Sequence, residues 1–131
     1  MNEVEEVLTK YRRVAVVGLS PKADRPSYGV ASYLTDHGYE IVPVNPTTDQ
    51  ILGLKSYPDL HSIPGPVEVV DIFRRSEDVG PIVDDAIAIG AKAVWMQDGV
   101  VNEEAAEKAR KAGLKVVMNA CMMREHHHLT G

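Results

Sequence analysis

The sequence predicts a parallel α/β fold wound on both faces of one sheet, and three observations carry that prediction. Short β-branched runs alternate with helical segments of about ten residues, so strand and helix succeed one another along the chain. The first of them, Val14 to Gly18, is a continuous β-branched run ended by glycine, as expected of a strand buried on both faces. Glycine or Asn-Pro follows several of them, closing each strand before the next helix begins. Crossovers between parallel strands are right-handed, so the helices must cover both faces, and 131 residues suit a single domain spanning 1–131. The expected architecture is a doubly wound, Rossmann-like α/β domain of about five parallel strands.

Each element has its own signal. Val4, Val7, Leu8 and Tyr11 recur at helical spacing among Glu and Lys, which predicts a short amphipathic helix. Val14 to Gly18 (VAVVG) is the first strand. After the loop Leu19 to Pro26, Ser27 is placed to cap a helix through Val30, Ala31, Tyr33 and Leu34, ending at His37-Gly38. Glu40 to Val44 (EIVPV) is the second strand, stopped by Asn45-Pro46. Thr47 to Pro66 has no helical period and reads as a long excursion with one helical turn near Tyr57 to His61. Val67 to Phe73 (VEVVDIF) is the third strand, and Ser76 begins a helix over Val79, Ile82, Val83, Ala86 and Ile87 that ends at Gly90. Ala93 to Met96 makes a fourth strand, Asn102 caps a helix reaching Gly113, and Val116 to Met118 makes a fifth.

Composition narrows the function. Lys and Arg number 14 against 19 Asp and Glu, a net charge of -5, which argues against general nucleic-acid binding but not against a small anion held locally. The lone Cys121 forms no internal disulfide, and the start MNEVEEVLTKYRR is too acidic and polar for a signal peptide, so a cytoplasmic protein is expected. No apolar run approaches the roughly 20 residues of a membrane span.

In open α/β sheets ligands bind beyond the carboxyl ends of the strands, where strand order reverses. That rule selects Gly18 to Tyr28, Asn45-Pro46, Phe73 to Arg75, Gln97 to Gly99 and Asn119 to Cys121. The first loop leads into a helix whose free N–H groups suit a phosphate. Gly18 permits close approach, Ser20 and Ser27 add hydroxyls, and Lys22 and Arg25 add positive charge. A plain strand-to-helix loop with a serine cap accounts for the same residues. Likewise Arg74 and Arg75 face either an anion or solvent, where they would pair with Glu77 and Asp78. The G-x-G-x-x-G fingerprint of NAD sites is missing, with Ser20 and Ala23 in the later glycine positions, and the second strand ends in Asn45-Pro46 rather than an acidic residue. A phosphorylated ribose fits better than NAD.

Five segments, VVGLSPKADRPSYGVASYL, YEIVPVNP, DIFRRSEDV, AVWMQDGVVNEEA and VVMNACMMREH, together cover nearly the whole chain. They resemble small stand-alone CoA-binding proteins related to the nucleotide-binding domain of the succinyl-CoA synthetase α subunit. The resemblance implies coenzyme A, or an acyl-CoA, as ligand. It implies that Gly18, Leu19, Ser20, Arg25, Ser27 and Tyr28 surround the pyrophosphate and 3′-phosphate region, and that Val44, Asn45 and Pro46 flank the nucleotide. Phe73, Arg74 and Arg75 would lie over or beside it, with Gln97 and Gly99 nearer the pantetheine. Where the family often has Asp-Arg, this chain has Asn119-Ala120, which removes a potential ion pair.

Catalysis by that family's larger relatives needs a phosphorylatable histidine and a nucleotide-grasp domain, for which 131 residues leave no room. Consecutive His126, His127 and His128 point in different directions on a helix and make a poor metal site; His37 belongs to a helix end and His61 to a loop. Asp71 and Asp98 at strand ends are read as caps or loop anchors rather than as acid or base. Cys121 is either a small buried residue or a thiol facing the crevice. Trp95 and Met96 belong to the core, and Met118, Met122 and Met123 to the core or a dimer contact. The expectation is a non-catalytic binding module, against the rival of an enzyme acting on NAD(P) or a nucleotide sugar in the same crevice.

Overall fold

The computed structural model describes residues 1–131. In chain order the elements are α1 (Glu3–Lys10), β1 (Arg13–Val17), α2 (Pro26–Asp36), β2 (Glu40–Val44), β3 (Gln50–Ile51), β4 (Leu54–Lys55), β5 (Val69–Ile72), α3 (Val79–Ala88), β6 (Ala93–Met96), α4 (Glu103–Lys111), β7 (Lys115–Val117) and α5 (Met122–Thr130). Five strands form one parallel sheet in the order β2-β1-β5-β6-β7, and the doubly wound, Rossmann-like class is the observed one. The chain moves outward from β1 to β2 and then crosses back past β1 to β5. The strand order therefore reverses between β1 and β5, which sets the crevice at their carboxyl ends.

Alternate residues of the strands feed two cores. Val42, Val44, Val70, Ile72, Val94 and Met96 pack with α3 and α4, while Val14, Val16, Ile41, Val69, Trp95 and Val117 pack with α1, α2 and α5. Trp95 is fully buried and donates Nε1–H to the carbonyl of Ala120 at 2.9 Å, so its one polar atom is satisfied inside the core. The sequence-derived helix caps hold at α4, where Asn102 Oδ1 accepts from the Ala105 N–H at 2.9 Å.

Three places differ from the sequence reading. The excursion after β2 contains the β3–β4 hairpin, whose turn residues Leu52 and Gly53 both have positive φ (57° and 72°). That is the two-residue turn geometry that normally advertises itself as Asn-Gly or Asp-Gly, and Leu52 hides it. The helical turn lies at Leu60–Ser62, a 3-10 turn capped by Asp59, while Tyr57 runs as extended backbone bridged to Val44. The third difference is α5: its N-cap, Cys121, makes no side-chain cap bond, so no polar signal marks its start. Met122 and His126 hold it down, Met122 fully buried in the core and His126 with Nδ1 2.9 Å from the Tyr33 hydroxyl. Burial lowers the pKa of His126, so a neutral ring packs against Tyr33, His37 and Tyr39.

Candidate functional site

Gly18 is where the crevice is made. Its φ is +86°, and a Cβ added there would lie 2.3 Å from the Phe73 carbonyl oxygen and 2.9 Å from Cδ of Arg74. Only glycine lets the loop after β1 rest directly on the loop after β5. Backbone bonds stitch three strand ends together at the same level: Gly18 N–H to Val44 O at 3.1 Å, and Phe73 N–H to Val17 O at 2.9 Å.

The loop from Gly18 to α2 is tied down from within. The Ser20 N–H donates to Ser27 Oγ at 3.0 Å, and the Lys22 N–H donates to Ser20 Oγ at 3.1 Å. Asn45 Nδ2 donates to Leu19 O at 2.9 Å, while Asn45 Oδ1 accepts from the N–H and hydroxyl of Thr47 at 2.8 and 2.6 Å. This corrects one expectation. Ser27 does not cap α2; the N-cap is Arg25, followed by Pro26, and Ser27 is buried with its hydroxyl turned back onto the loop. Proline at the first helical position supplies a fixed φ and no orphan N–H, so the helix needs no serine cap.

An open cavity of about 1440 Å³ lies at the carboxyl ends of the strands. The CoA-site residues named from the sequence all line it except Leu19 and Tyr28, and of the last candidate loop Cys121 lines it while Asn119 and Ala120 do not. The Leu19 side chain is fully buried in the core between the sheet and α2, and Tyr28 packs half-buried against the same cluster. Sequence reasoning missed the opposite wall, made of Pro58, Asp59 and Leu60 from the excursion and Ile82 and Asp85 from α3. The Val44–Tyr57 bridge brings the excursion there, through bonds from Tyr57 N–H to Pro43 O (3.0 Å) and Asn45 N–H to Tyr57 O (2.9 Å). No local motif announces a backbone bridge.

The charges around the cavity divide into engaged and free. Arg75 pairs with Asp78 at 3.1 Å, the solvated-turn alternative for that residue. Asp98 forms a two-pronged pair with Arg124, both contacts 2.8 Å, which holds its carboxyl below the usual range. Lys22, Arg25 and Arg74 are exposed on the cavity and make no ion pair. Gly99 donates its N–H to Asn119 Oδ1 at 2.8 Å, and Asn119 itself sits at φ 59°, so the last loop has a structural job without any ion pair. Gln97 is buried at the cavity wall and donates Nε2–H to Oδ1 of Asp71. Asp71 is not the strand-end cap expected from the sequence. It lies within β5, opposite Val16 and Trp95, with no exposure to solvent, and burial pushes its pKa up to about 7. No group of three His, Cys, Asp or Glu side chains is arranged to hold a metal ion.

Sheet order and reversal point define a doubly wound α/β protein with an open crevice at its switch point, where Lys22, Arg25 and Arg74 are exposed. The chain belongs to the CoA-binding domain family, whose model matches residues 12–127. It is 42% identical over 124 residues to the uncharacterized protein YneT of Bacillus subtilis, covering 95% of this chain and 92% of that one. It is 30% identical over 95 residues to ADP-forming acetate–CoA ligase II of Archaeoglobus fulgidus, a match to 71% of this chain and only 14% of the ligase. A solved structure of a hypothetical protein from Pyrococcus horikoshii superposes with a TM-score of 0.95 at 45% identity, covering 100% of this chain and 94% of that one. No helix is long and apolar enough to cross a membrane.

Proposed function

We propose that this chain binds coenzyme A, or an acyl-CoA, in the crevice between the β1 and β5 loops, as a binding module rather than a catalyst. The observation that carries the reading is the set of three cations, Lys22, Arg25 and Arg74, that face the cavity from two loops without an ion pair, while the aspartates that also line it are engaged elsewhere, Asp59 by Ser62, Asp78 by Arg75, Asp85 by His61 and Asp98 by Arg124. Arg12, Arg13, Arg75 and Arg124 find partners within the chain, whereas Arg25 and Arg74 keep theirs open on a concave site, where an anion can meet them. Membership of the CoA-binding domain family supports coenzyme A as that anion.

The fit is chemical as well as electrostatic. CoA carries a pyrophosphate and a ribose 3′-phosphate, and Lys22 and Arg25 stand at the start of α2; Pro26 has no N–H and the Tyr28 and Gly29 N–H groups already bond Arg25 O, so the two side chains rather than the helix end would supply the phosphate contacts. Arg74, on the other loop, would supply the second phosphate contact. NAD is the poorer match. The residue after β2 is Asn45, and both ends of its amide are occupied by Leu19 and Thr47, so no carboxylate and no free acceptor awaits a ribose diol. The two carboxylates considered for acid–base work are also engaged, Asp98 by Arg124 and Asp71 by Gln97.

Titration calorimetry with CoA, acetyl-CoA and NAD tests the reading. Tighter binding of CoA or acetyl-CoA than of NAD is expected, with every compound recovered unchanged after incubation. Tighter NAD binding, or no heat from either CoA compound at millimolar concentration, would overturn it; turnover of NAD(P) or a nucleotide sugar would favour the enzyme.

A further inference from the structure

Asp71 is sealed on the face of the sheet covered by α2 and α5, and its carboxyl meets one side chain. Gln97 Nε2–H donates to Oδ1, while Oδ2 is the one buried side-chain polar atom in the molecule with no hydrogen-bond partner. Such orphans are rare enough in folded proteins to need a reason. At the other end of the same amide, Gln97 Oε1 accepts from no protein group, yet it is not among the sealed atoms, and Gln97 lines the cavity. A single amide thus joins a buried carboxyl to the ligand crevice.

The chemistry of that junction has two states. An ionised carboxylate can only accept, so it must face the NH2 end of Gln97, and the amide then offers Oε1, an acceptor, to the cavity. A protonated carboxyl has a hydroxyl to place; donating it to Oε1 turns the amide over and offers NH2, a donor, instead. We propose that Asp71 is a positioning residue which, by taking up or releasing one solvent proton, sets whether Gln97 presents an acceptor or a donor to the bound ligand. Burial places the Asp71 titration near neutrality, at about 7, so both states are accessible. The surroundings leave the proton to this pair. The strand neighbours are Val16 and Trp95, and α2 and α5 bury Ser27, Val30, Ala31, Leu34 and Met122 on this face. The titratable Cys121 precedes α5, His126 of α5 is turned to Tyr33, and Lys22, Arg25 and Arg74 stay at the exposed rim. None of these charges figures among the influences on Asp71, which are burial, the Gln97 bond and the Ile72 N–H.

The ligand half of the proposal rests on the CoA reading: the pantetheine amides and the adenine amino group carry the N–H donors that an acceptor Oε1 selects. Two measurements separate the claims. In the ligand-free protein, NMR would follow the Asp71 carboxyl carbon and the exchange protection of the Gln97 side-chain NH2 protons from pH 5 to 9. Protection should fall at least about tenfold as Asp71 is protonated, with one shared midpoint, and should be independent of pH in Asp71→Asn. An Asp71 that does not titrate, or titrates with unchanged Gln97 protection, overturns the switch. CoA affinity would then be compared across pH 5.5 to 8.5 in the parent and in Asp71→Asn. The ligand's phosphates also titrate near pH 6, but equally in both proteins, so the difference between the profiles reports Asp71. The parent should gain about tenfold more affinity than the variant as pH rises through the Asp71 midpoint. Parallel profiles would show that CoA binds without reading Gln97. Loss of CoA binding in both proteins would instead contradict the CoA reading, with the exchange measurement still deciding the switch.

Discussion

The two ends of the parallel sheet differ in their cationic side chains, even though Arg75 and Arg124 at the carboxyl end are paired with Asp78 and Asp98. At the amino end, Arg13 pairs with Glu40 at 2.8 Å and donates to the carbonyls of Pro64 and Pro66 at 2.9 and 2.8 Å. The backbone N–H groups of Arg12 and Arg13 both donate to Glu68 Oε1, at 2.8 and 3.0 Å, which holds that carboxyl below its ordinary pKa. At the carboxyl end, Lys22, Arg25 and Arg74 meet no carboxylate at all. A cation that the chain itself satisfies belongs to the fold; a cation left over around a cavity belongs to something the fold receives. Substitutions at one end should therefore change stability, and those at the rim of the other should change affinity.

The largest exception to that division should be Gly18, the one place where the crevice is also structure. Gly18→Ala puts a Cβ against the Phe73 carbonyl at positive φ, and a stability loss of about 4 kcal/mol or more is expected from urea unfolding. A loss under about 1 kcal/mol would mean the β1 and β5 loops can part freely.

Asp71 comes next, and its sign depends on pH. Its folded pKa is raised from 3.8 to about 7, so its stabilising contribution is complete below pH 3.8 and is lost as pH rises toward 7. Asp71→Asn should be more stable than the parent at pH 8, on the order of 2–4 kcal/mol, with the gain shrinking steadily toward pH 4. A gain that does not vary with pH would show that Asp71 is not the titrating group. Arg13→Ala should cost less, about 1–2 kcal/mol, because its partner Glu40 is exposed, and CoA affinity should be unaltered.

How far the sequence foretells these ends differs too. Strands were legible because apolar, β-branched-rich runs such as Val14 to Val17 must be buried on both faces, and burial leaves a compositional trace; the third strand, read as Val67 to Phe73, is shorter, Val69–Ile72. The loops of the crevice were legible for a topological reason, since strand ends fix where a ligand can sit before any side chain is considered. What escaped were features set by tertiary contact. Leu52 adopts a left-handed turn without the residue that usually signals it, and α5 is held by Met122 and His126 rather than by a cap. Ser27 looked like a cap because serine commonly is one; Pro26 had already started the helix. Asp71 looked like a strand-end carboxylate, yet its side chain turns inward onto Gln97, a choice that register with β6 makes and composition does not show.

The contrast between the two ends is tested most directly by measuring CoA affinity and thermal unfolding together for Arg25→Ala and Arg74→Ala. Hydrogen bonds from arginine to phosphate contribute on the order of 1.5–3 kcal/mol, so each variant should bind CoA roughly ten- to a hundredfold more weakly. Both should unfold at the parent's temperature, since neither side chain bonds to the protein. Dephospho-CoA separates their roles: the arginine that holds the 3′-phosphate should matter far less for that compound. Parent-like CoA affinity in both variants, with unchanged unfolding, would contradict the account and make these arginines an ordinary solvated rim.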